Sequence, residues 1–162
     1  MKQLLIIRHA KSSWAQLGHS DFDRPLNERG KNDAPVMADR LLQKNISIDL
    51  FISSSANRAL STAALFAEAF QLQKKDILQV RKLYHAHPPA FYEVISGIDN
   101  AAETIALFSH NPGITEFVNE LCQTHIDHMP TCGIFAVKAD TDNWKDFKKA
   151  KKTFWFFDYP KL

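Results

Sequence analysis

Short apolar runs alternate along the chain with segments of helical periodicity, and this alternation constrains the fold more than any other feature. Residues 4–7 are continuously apolar, as expected for a strand covered on both faces. Similar runs predict five further strands, at residues 49–53, 77–80, 104–109, 132–137 and 154–157. Apolar residues spaced three and four apart predict helices around residues 34–42, 59–70, 91–98 and 114–122. The pattern predicts an α/β protein, a three-layer α/β/α sandwich with a mainly parallel sheet and the last two strands at one side.

Length and composition narrow the class of protein. The 162 residues predict one domain over residues 1–162, and 45% hydrophobic residues indicate a globular chain. A net charge of +2 gives no reason to expect a nucleic-acid partner. The early apolar run is too short for a signal peptide or a membrane helix. Cys122 and Cys132 form no CxxC pair, so we expect free thiols in a cytoplasmic protein with no membrane partner.

Charged and imidazole side chains follow three of the predicted strands. Arg8 and His9 follow the first strand, Arg58 opens the helix after the second, and His110 and Asn111 follow the fourth. Ligands of open α/β sheets bind at the carboxyl ends of the strands, where these residues are expected to meet. Each histidine alone is compatible with a hydrogen-bonded core position. We favour a functional site because two arginines accompany them.

This set of residues suits phosphoryl chemistry. A guanidinium group presents donors that match phosphate oxygens, and a helix N-terminus adds backbone N–H groups. A histidine among them can bind phosphate, or attack phosphorus and become a covalent phosphohistidine. Arginines and a second, protonated histidine can neutralise the developing charge, so no metal is required.

Four segments, in order, resemble the histidine phosphatase superfamily, which has the phosphoglycerate-mutase-like fold. They are RHAKS at 8–12, DRPLNERG at 23–30, SSSANRALSTA at 53–63 and SHNPG at 109–113. The continuation Ala10-Lys11-Ser12 resembles the SixA-type phosphohistidine phosphatases, which also lack the cap insertions of larger relatives. Ala10, Ser55 and Ser109 stand where the family pattern has glycine, proline and glycine.

The resemblance implies a metal-independent phosphatase without a cofactor. His9 would be the nucleophile, and Arg8, Arg58 and His110 would hold the phosphate oxygens as the other catalytic residues. The implied partner is a phosphohistidine-bearing protein, either a phosphotransfer domain or a carrier, with inorganic phosphate as the product. A short chain without cap insertions predicts an open pocket that suits a protein substrate.

The region after the third strand bears on the substrate. Larger relatives place a carboxylate there, but residues 83–87 contain no Asp or Glu, and the nearest carboxylate is Glu93 on a predicted helix. His85 and Tyr84 are alternative proton donors. Because imidazole leaves more readily than an alcohol, a site without a strong acid favours phosphohistidine. The alternatives are a small-molecule phosphomonoesterase or mutase on the same fold, and a catalytically weak phospho-binding module.

Other polar residues have two interpretations each. Lys11 and Ser12 contact phosphate or lie in a solvated loop, and Asn111 binds phosphate or caps a helix. His85 and His87 alternate as on a strand, and both are expected to line the pocket mouth. Arg24 is expected to pair with Asp23 or Glu28 rather than to contact the substrate. Metal binding is an alternative role for His125 and His128. A basic run is either an exposed face or a docking patch for an acidic partner, and it consists of Lys145, Lys148, Lys149, Lys151 and Lys152.

Overall fold

One six-stranded sheet forms the centre of the computed structural model, which describes residues 1–14, 18 and 20–161. The strands are β1 (Lys2–Arg8), β2 (Leu50–Ser53), β3 (Ile77–Gln79), β4 (Thr104–Ser109), β5 (Ile134–Ala139) and β6 (Lys152–Asp158). The helices are α1 (Glu28–Gln43), α2 (Asn57–Ala69), α3 (Pro88–Ser96) and α4 (Gly113–Leu121). Short 3₁₀ helices lie at Asp21–Asp23, Lys74–Asp76, Arg81–Leu83 and Trp144–Asp146. No helix in this described part of the chain combines the length and apolarity needed to cross a membrane.

The strand order is β3-β2-β4-β1-β5-β6. Strands β3, β2, β4 and β1 pair in parallel, and β5 is antiparallel to both β1 and β6. The predicted fold class is therefore confirmed, including the position of the last two strands at one side. Strand β5 begins at Ile134, two residues later than predicted, because Cys132 has a φ of 60° and its N–H contacts the carbonyl oxygens of Arg8 and His9.

Helices cover both faces of the sheet and produce two apolar cores. Side chains alternate along β1, so Leu5 and Ile7 face α1 and α2, whereas Leu4 and Ile6 face α3 and α4. Among the helix residues of the first core are Ala34, Met37, Ala38, Leu41, Ala63, Phe66 and Ala67. Those of the second include Phe91, Ile95, Ile114, Phe117, Val118 and Leu121. This arrangement explains why the central strands are continuously apolar rather than alternating.

Two glycines allow loops to approach the sheet edge closely. A Cβ atom on Gly30, in the first turn of α1, would lie 2.2 Å from the carbonyl oxygen of Lys11. A Cβ atom on Gly113, at the start of α4, would lie 1.7 Å from the carbonyl oxygen of Ala86. Only glycine fits at these two positions, which bring the 8–12 and 84–87 segments to the same edge of the sheet.

A buried lysine lies at the opposite edge, where β1 begins. The Lys2 side chain is fully buried, and its Nζ donates to the carbonyl oxygens of Asn100 at 2.6 Å and Ala102 at 3.0 Å. It also bonds to Oε1 of Glu103 at 3.3 Å and lies 5.6 Å from the ring centroid of Trp144. The three ammonium donors therefore have three acceptors.

Candidate active site

The carboxyl ends of β1 and β4 and the start of α2 enclose a cleft of about 250 Å³. Arg8 is the last residue of β1 and His9 follows it, Arg58 is the second residue of α2, and His110 follows β4. The structure thus brings together the four residues that the sequence placed in one pocket. The cleft is lined by Arg8, His9, Lys11, Ser12, Trp14, Arg24, Arg58, His110, Asn111 and Thr131.

His9 is held with one ring nitrogen free. Its Nδ1 lies 2.8 Å from the carbonyl oxygen of Ala10, which can only accept, so Nδ1 carries the proton and donates. The lone pair of Nε2 is then available to a ligand. Burial, together with the charges of Arg8 and Arg58, lowers the pKa of His9 to about 3. The ring is therefore neutral at pH 7, as a nucleophile requires.

His110 faces His9 across the cleft, with the two ring centroids 5.2 Å apart. Its Nε2 lies 2.8 Å from Oγ of Ser54 in a hydrogen bond, and its Nδ1 is buried without a partner. Burial, the neighbouring His9 and the charge of Arg58 lower the pKa of His110 to about 2. The ring is therefore neutral at pH 7, whereas a protonated second histidine is the form predicted from the sequence. A dianionic ligand beside the ring would raise this pKa.

The Arg8 guanidinium group is held through one of its nitrogen atoms, Nη1. Its Nη1 donates to the carbonyl oxygen of Met129 at 2.9 Å and lies 3.3 Å from Nε2 of His128. Burial and the nearby Arg58 lower the pKa of Arg8, but a guanidinium group stays charged at pH 7. The Arg8 Nε is buried and has no partner.

Arg24 is a cleft residue that the sequence analysis placed outside the substrate site. Its Nε donates to Oδ1 of Asp21 at 3.1 Å, so the expected pairing with Asp23 or Glu28 was wrong. Its guanidinium carbon lies 3.5 Å from the ring centroid of Trp14. The 3₁₀ turn at Asp21–Asp23 explains the difference, because it carries Asp21 rather than Asp23 toward Arg24.

Unpartnered buried nitrogen atoms concentrate in this cleft. Among the described residues, the buried side-chain polar atoms without a hydrogen-bond partner are Arg8 Nε, Arg24 Nη1, Arg58 Nε and His110 Nδ1, and all four residues line the cleft. Each buried donor without an acceptor costs about 1–3 kcal/mol. An anion with several oxygen atoms would supply acceptors for the three guanidinium N–H groups and for His110 Nδ1 when that atom carries a proton, so the arrangement is that of a site for phosphate or a similar oxyanion.

Three of the candidate substrate-binding residues line the cleft, and they differ in exposure and in hydrogen bonding. Lys11 is exposed, whereas Ser12 is buried and its backbone bridges to Leu26. The Asn111 amide donates to the carbonyl oxygen of Met129 at 3.0 Å and accepts from the Thr115 hydroxyl at 2.7 Å. Asn111 is not the cap of α4, because Pro112 occupies that position.

The fourth candidate, His85, lies outside the cleft. It lines a separate cavity of about 190 Å³, which also contacts His110 and Asn111. The predicted strand-like alternation of His85 and His87 was wrong, because the chain turns there with a φ of 60° at His85. Glu93 is bonded at 2.6 Å to Lys82 and does not line the cleft.

Asp21, which was not among the residues predicted from the sequence, supplies a carboxylate that contacts the cleft residues. Oδ2 of Asp21 accepts from the Tyr84 hydroxyl at 2.5 Å and from Nη2 of Arg58 at 3.2 Å. Burial opposes ionisation, but the Tyr84 hydrogen bond and the charge of Arg58 outweigh it and lower the pKa of Asp21 to about 2. Asp21 and Arg58 are 37 positions apart. A pattern of local spacing therefore gives no signal for this contact.

The remaining polar candidates lie elsewhere. His128 contacts Arg8 and Asn111 rather than His125, and no group of three or more ligating side chains suited to a metal ion occurs within residues 1–14, 18 and 20–161. In the lysine run, Lys149 pairs with Asp146 at 3.4 Å. Cys122 and Cys132 are both free thiols.

Comparison with known proteins agrees with this geometry. Residues 4–83 match the family model of the histidine phosphatase superfamily (branch 1). An uncharacterized chloroplastic protein of Arabidopsis thaliana is 27% identical over 160 residues, covering 90% of this chain and 70% of that protein. Phosphoserine phosphatase 1 of Hydrogenobacter thermophilus is 36% identical over 75 residues, covering 45% of this chain and 35% of that enzyme. The crystal structure of SixA from Agrobacterium tumefaciens superposes with a TM-score of 0.82 at 24% identity, over 99% of both chains.

The family match, together with the fold and the oxyanion cleft, supports assignment of the protein to the phosphatases. The chain belongs to the histidine phosphatase superfamily. Within that superfamily its fold is the one seen in SixA.

Proposed function

We propose that the protein is a phosphohistidine phosphatase, which removes phosphoryl groups from protein histidine through a covalent intermediate on His9. The main support for this proposal is that four unpartnered buried nitrogen atoms line the cleft of a neutral histidine, His9, whose Nε2 is free. A binding module has no need of such a nucleophile, which makes a non-catalytic role the weaker interpretation.

In the first step, His9 Nε2 attacks phosphorus in line with the leaving imidazole of the substrate. The new bond joins Nε2 to phosphorus, and the bond between phosphorus and the substrate nitrogen breaks. Positive charge develops on the His9 ring, and the Nδ1–H bond to the Ala10 carbonyl oxygen at 2.8 Å stabilises that charge. In the second step, water attacks phosphorus, the bond to Nε2 breaks, and inorganic phosphate leaves.

The guanidinium groups of Arg8, Arg24 and Arg58 supply the positive charge for phosphoryl transfer. Their unpaired N–H groups would bind the equatorial oxygens, whose charge must be stabilised in the transition state. This charge provides what a divalent metal provides in other phosphoryl-transfer enzymes. His110 Nδ1 would bind a further oxygen, in the protonated form that the phosphoryl dianion favours.

The nature of the leaving group favours phosphohistidine. The carboxylate near the cleft, Asp21, is ionised and bound by Arg24, Arg58 and Tyr84, so it is a poor proton donor. A phosphohistidine ring takes a proton from solvent on its other nitrogen near pH 7 and then leaves as neutral imidazole, whereas an alcohol depends on general acid catalysis worth roughly 10²–10⁴-fold. We propose a phosphotransfer domain or phosphoryl carrier as the partner and a cytoplasmic location. The likeness to phosphoserine phosphatase 1 makes small phosphomonoesters the second candidate substrates.

The test is single-turnover phosphate release from a protein phosphorylated on histidine, in the presence of EDTA. We expect rapid release by the wild type and a loss on the order of 10⁴-fold or more in His9→Ala, because the nucleophile is removed. His125→Ala is the matched control, since His125 is exposed and does not line the cleft. Faster turnover of phosphoserine than of phosphohistidine would favour the small-molecule alternative. Equal release by wild type and His9→Ala would contradict the proposal.

A further inference from the structure

Asp21 lies at the rim of the cleft, at the start of the 3₁₀ turn Asp21–Asp23. Its side chain is 43% exposed, whereas the Arg58 side chain that it contacts is 7% exposed. An exposed aspartate is usually solvated, but this one bonds to three side chains, those of Arg24, Arg58 and Tyr84. It joins the rim segment to α2 and to the loop that follows the 3₁₀ turn Arg81–Leu83.

Asp21 holds Arg58 through two separate hydrogen bonds. Nη1 of Arg58 donates to the backbone oxygen of Asp21 at 2.6 Å, and Nη2 donates to its Oδ2 at 3.2 Å. A guanidinium group is planar and rigid, so two bonds to one residue fix the direction of its remaining donors. The Nε of Arg58 is left buried and unpartnered in a residue that lines the cleft.

The second carboxylate oxygen performs the same task for Arg24. Oδ1 of Asp21 accepts from Arg24 Nε at 3.1 Å, and Nη1 of Arg24 is left buried and unpartnered. The Tyr84 hydroxyl, bonded to Oδ2, fixes the carboxylate itself, and the Tyr84 ring packs edge-on against Phe22 with centroids 5.0 Å apart. One carboxylate therefore orients two of the three arginines of the site.

We propose that Asp21 is a positioning residue that holds Arg58 and Arg24 in the orientation that binds the phosphoryl oxygens. This inference rests on the proposed function, because it assigns the two arginines to phosphoryl transfer. It also assigns Asp21 no proton transfer to the leaving group. Its removal should therefore slow all substrates by a similar factor, whatever their leaving group.

The test compares kcat/KM of wild type and Asp21→Asn on a phosphohistidine peptide, p-nitrophenyl phosphate and phenyl phosphate. Misplaced catalytic groups typically cost on the order of 10²-fold, and we expect a loss of about that size on each substrate that the wild type hydrolyses. Asp23→Asn is the matched control, because Asp23 lies in the same turn but its carboxylate bonds to Ser20 at 2.9 Å. Activity of this control should stay within about twofold of wild type.

A double-mutant cycle separates positioning from a general structural effect. In an Arg58→Lys background, Asp21→Asn should cost much less than it costs alone, because the lysine cannot be held in the same two-bond geometry. Additive losses would overturn the inference, as would unchanged activity of Asp21→Asn. A loss that grows from p-nitrophenyl phosphate to phenyl phosphate would also overturn it and assign Asp21 to proton donation. A wild type inactive on all three substrates would refute the proposed function, and the inference with it.

Discussion

Each end of strand β1 holds a cation, fully buried Lys2 at the start and partly buried Arg8 at the end, but the two are held in opposite ways. At the start of the strand, Lys2 has an acceptor for each of its three ammonium donors. At the end of the strand, Arg8 donates through Nη1 while its Nε is buried without a partner. All three ammonium donors of Lys2 thus have acceptors within the protein, whereas the acceptor for Arg8 Nε must come from a ligand. Burial of charge alone does not identify a functional residue, but unsatisfied hydrogen-bonding capacity does.

The difference follows from what surrounds each end of the strand. Backbone carbonyls of residues 100 and 102 converge on Lys2, and the Trp144 indole N–H donates to the same Ala102 oxygen at 2.7 Å. At the other end, partial burial and the charge of Arg58 both lower the pKa of Arg8. Holding the two guanidinium groups near each other costs free energy, and a bound anion would remove that cost. That cost is the structural basis for assigning phosphoryl binding to this end.

Among the changes that test this comparison, removal of the cation at the cleft should have the largest effect. Arg8→Met should lower kcat/KM for phosphohistidine by about 10²–10³-fold, because it removes donors to the transferring group. The free energy of unfolding should fall little, or rise, since an unsatisfied donor and a like-charge contact disappear. Steady-state kinetics and urea unfolding of the same preparation measure both. If Arg8→Met lost stability but kept activity, Arg8 would be structural and the comparison would fail.

The second effect concerns the two buried histidines and pH. The folded pKa values of His9 and His110, about 3 and about 2, lie below the ordinary value of 6.5. Below about pH 6.5 these two histidines bind protons in the unfolded chain but not in the folded protein. The free energy of unfolding that they contribute above that pH is therefore lost as the pH falls. Between pH 7 and pH 5 each histidine should lower the free energy of unfolding by roughly 2 kcal/mol.

Urea unfolding at several pH values tests this prediction. His110→Gln should remove about half of the pH dependence, whereas His125→Gln, which changes an exposed histidine, should leave it unaltered. A pH dependence that is the same in wild type and His110→Gln would show that the cleft histidine is not held neutral.

A smaller effect is expected at the other end of β1. Lys2→Met should leave kcat/KM within about twofold of wild type and lower the free energy of unfolding by about 1–3 kcal/mol, because buried carbonyl oxygens lose their donor. Chemical denaturation measures the stability and the phosphatase assay measures the activity. Unchanged stability would contradict the account of Lys2 as a satisfied structural cation.

The smallest effect should come from cations that are neither buried nor near the cleft. Lys145 and Lys149 are exposed, so their joint replacement by glutamine should change the free energy of unfolding by no more than about 0.5 kcal/mol. Turnover of a phosphohistidine protein should stay within about twofold. A large rise in KM for the protein substrate alone would instead support the docking patch considered from the sequence.

The fold could be predicted from the sequence because it rests on local patterns. Buried strands give continuous apolar runs, and the helices repeat apolar residues every three or four positions. The placement of Arg8, Arg58 and His110 followed from a general rule about strand ends. Asp21 could not be found in this way, since its contact with Arg58 depends on how the rim segment folds over α2. The strand-like alternation predicted for His85 and His87 was wrong because the chain turns at His85, where φ is positive.

The central claim is that His9 carries the phosphoryl group on Nε2, and ³¹P NMR of the trapped phosphoenzyme tests it most directly. The Nδ1–H bond to the Ala10 carbonyl oxygen leaves only Nε2 free to attack. We therefore expect a single phosphohistidine resonance with the shift of the Nε2 isomer, present in wild type and lost in His9→Ala. A resonance of the Nδ1 isomer, or a phosphoryl group that persists in His9→Ala, would contradict the account.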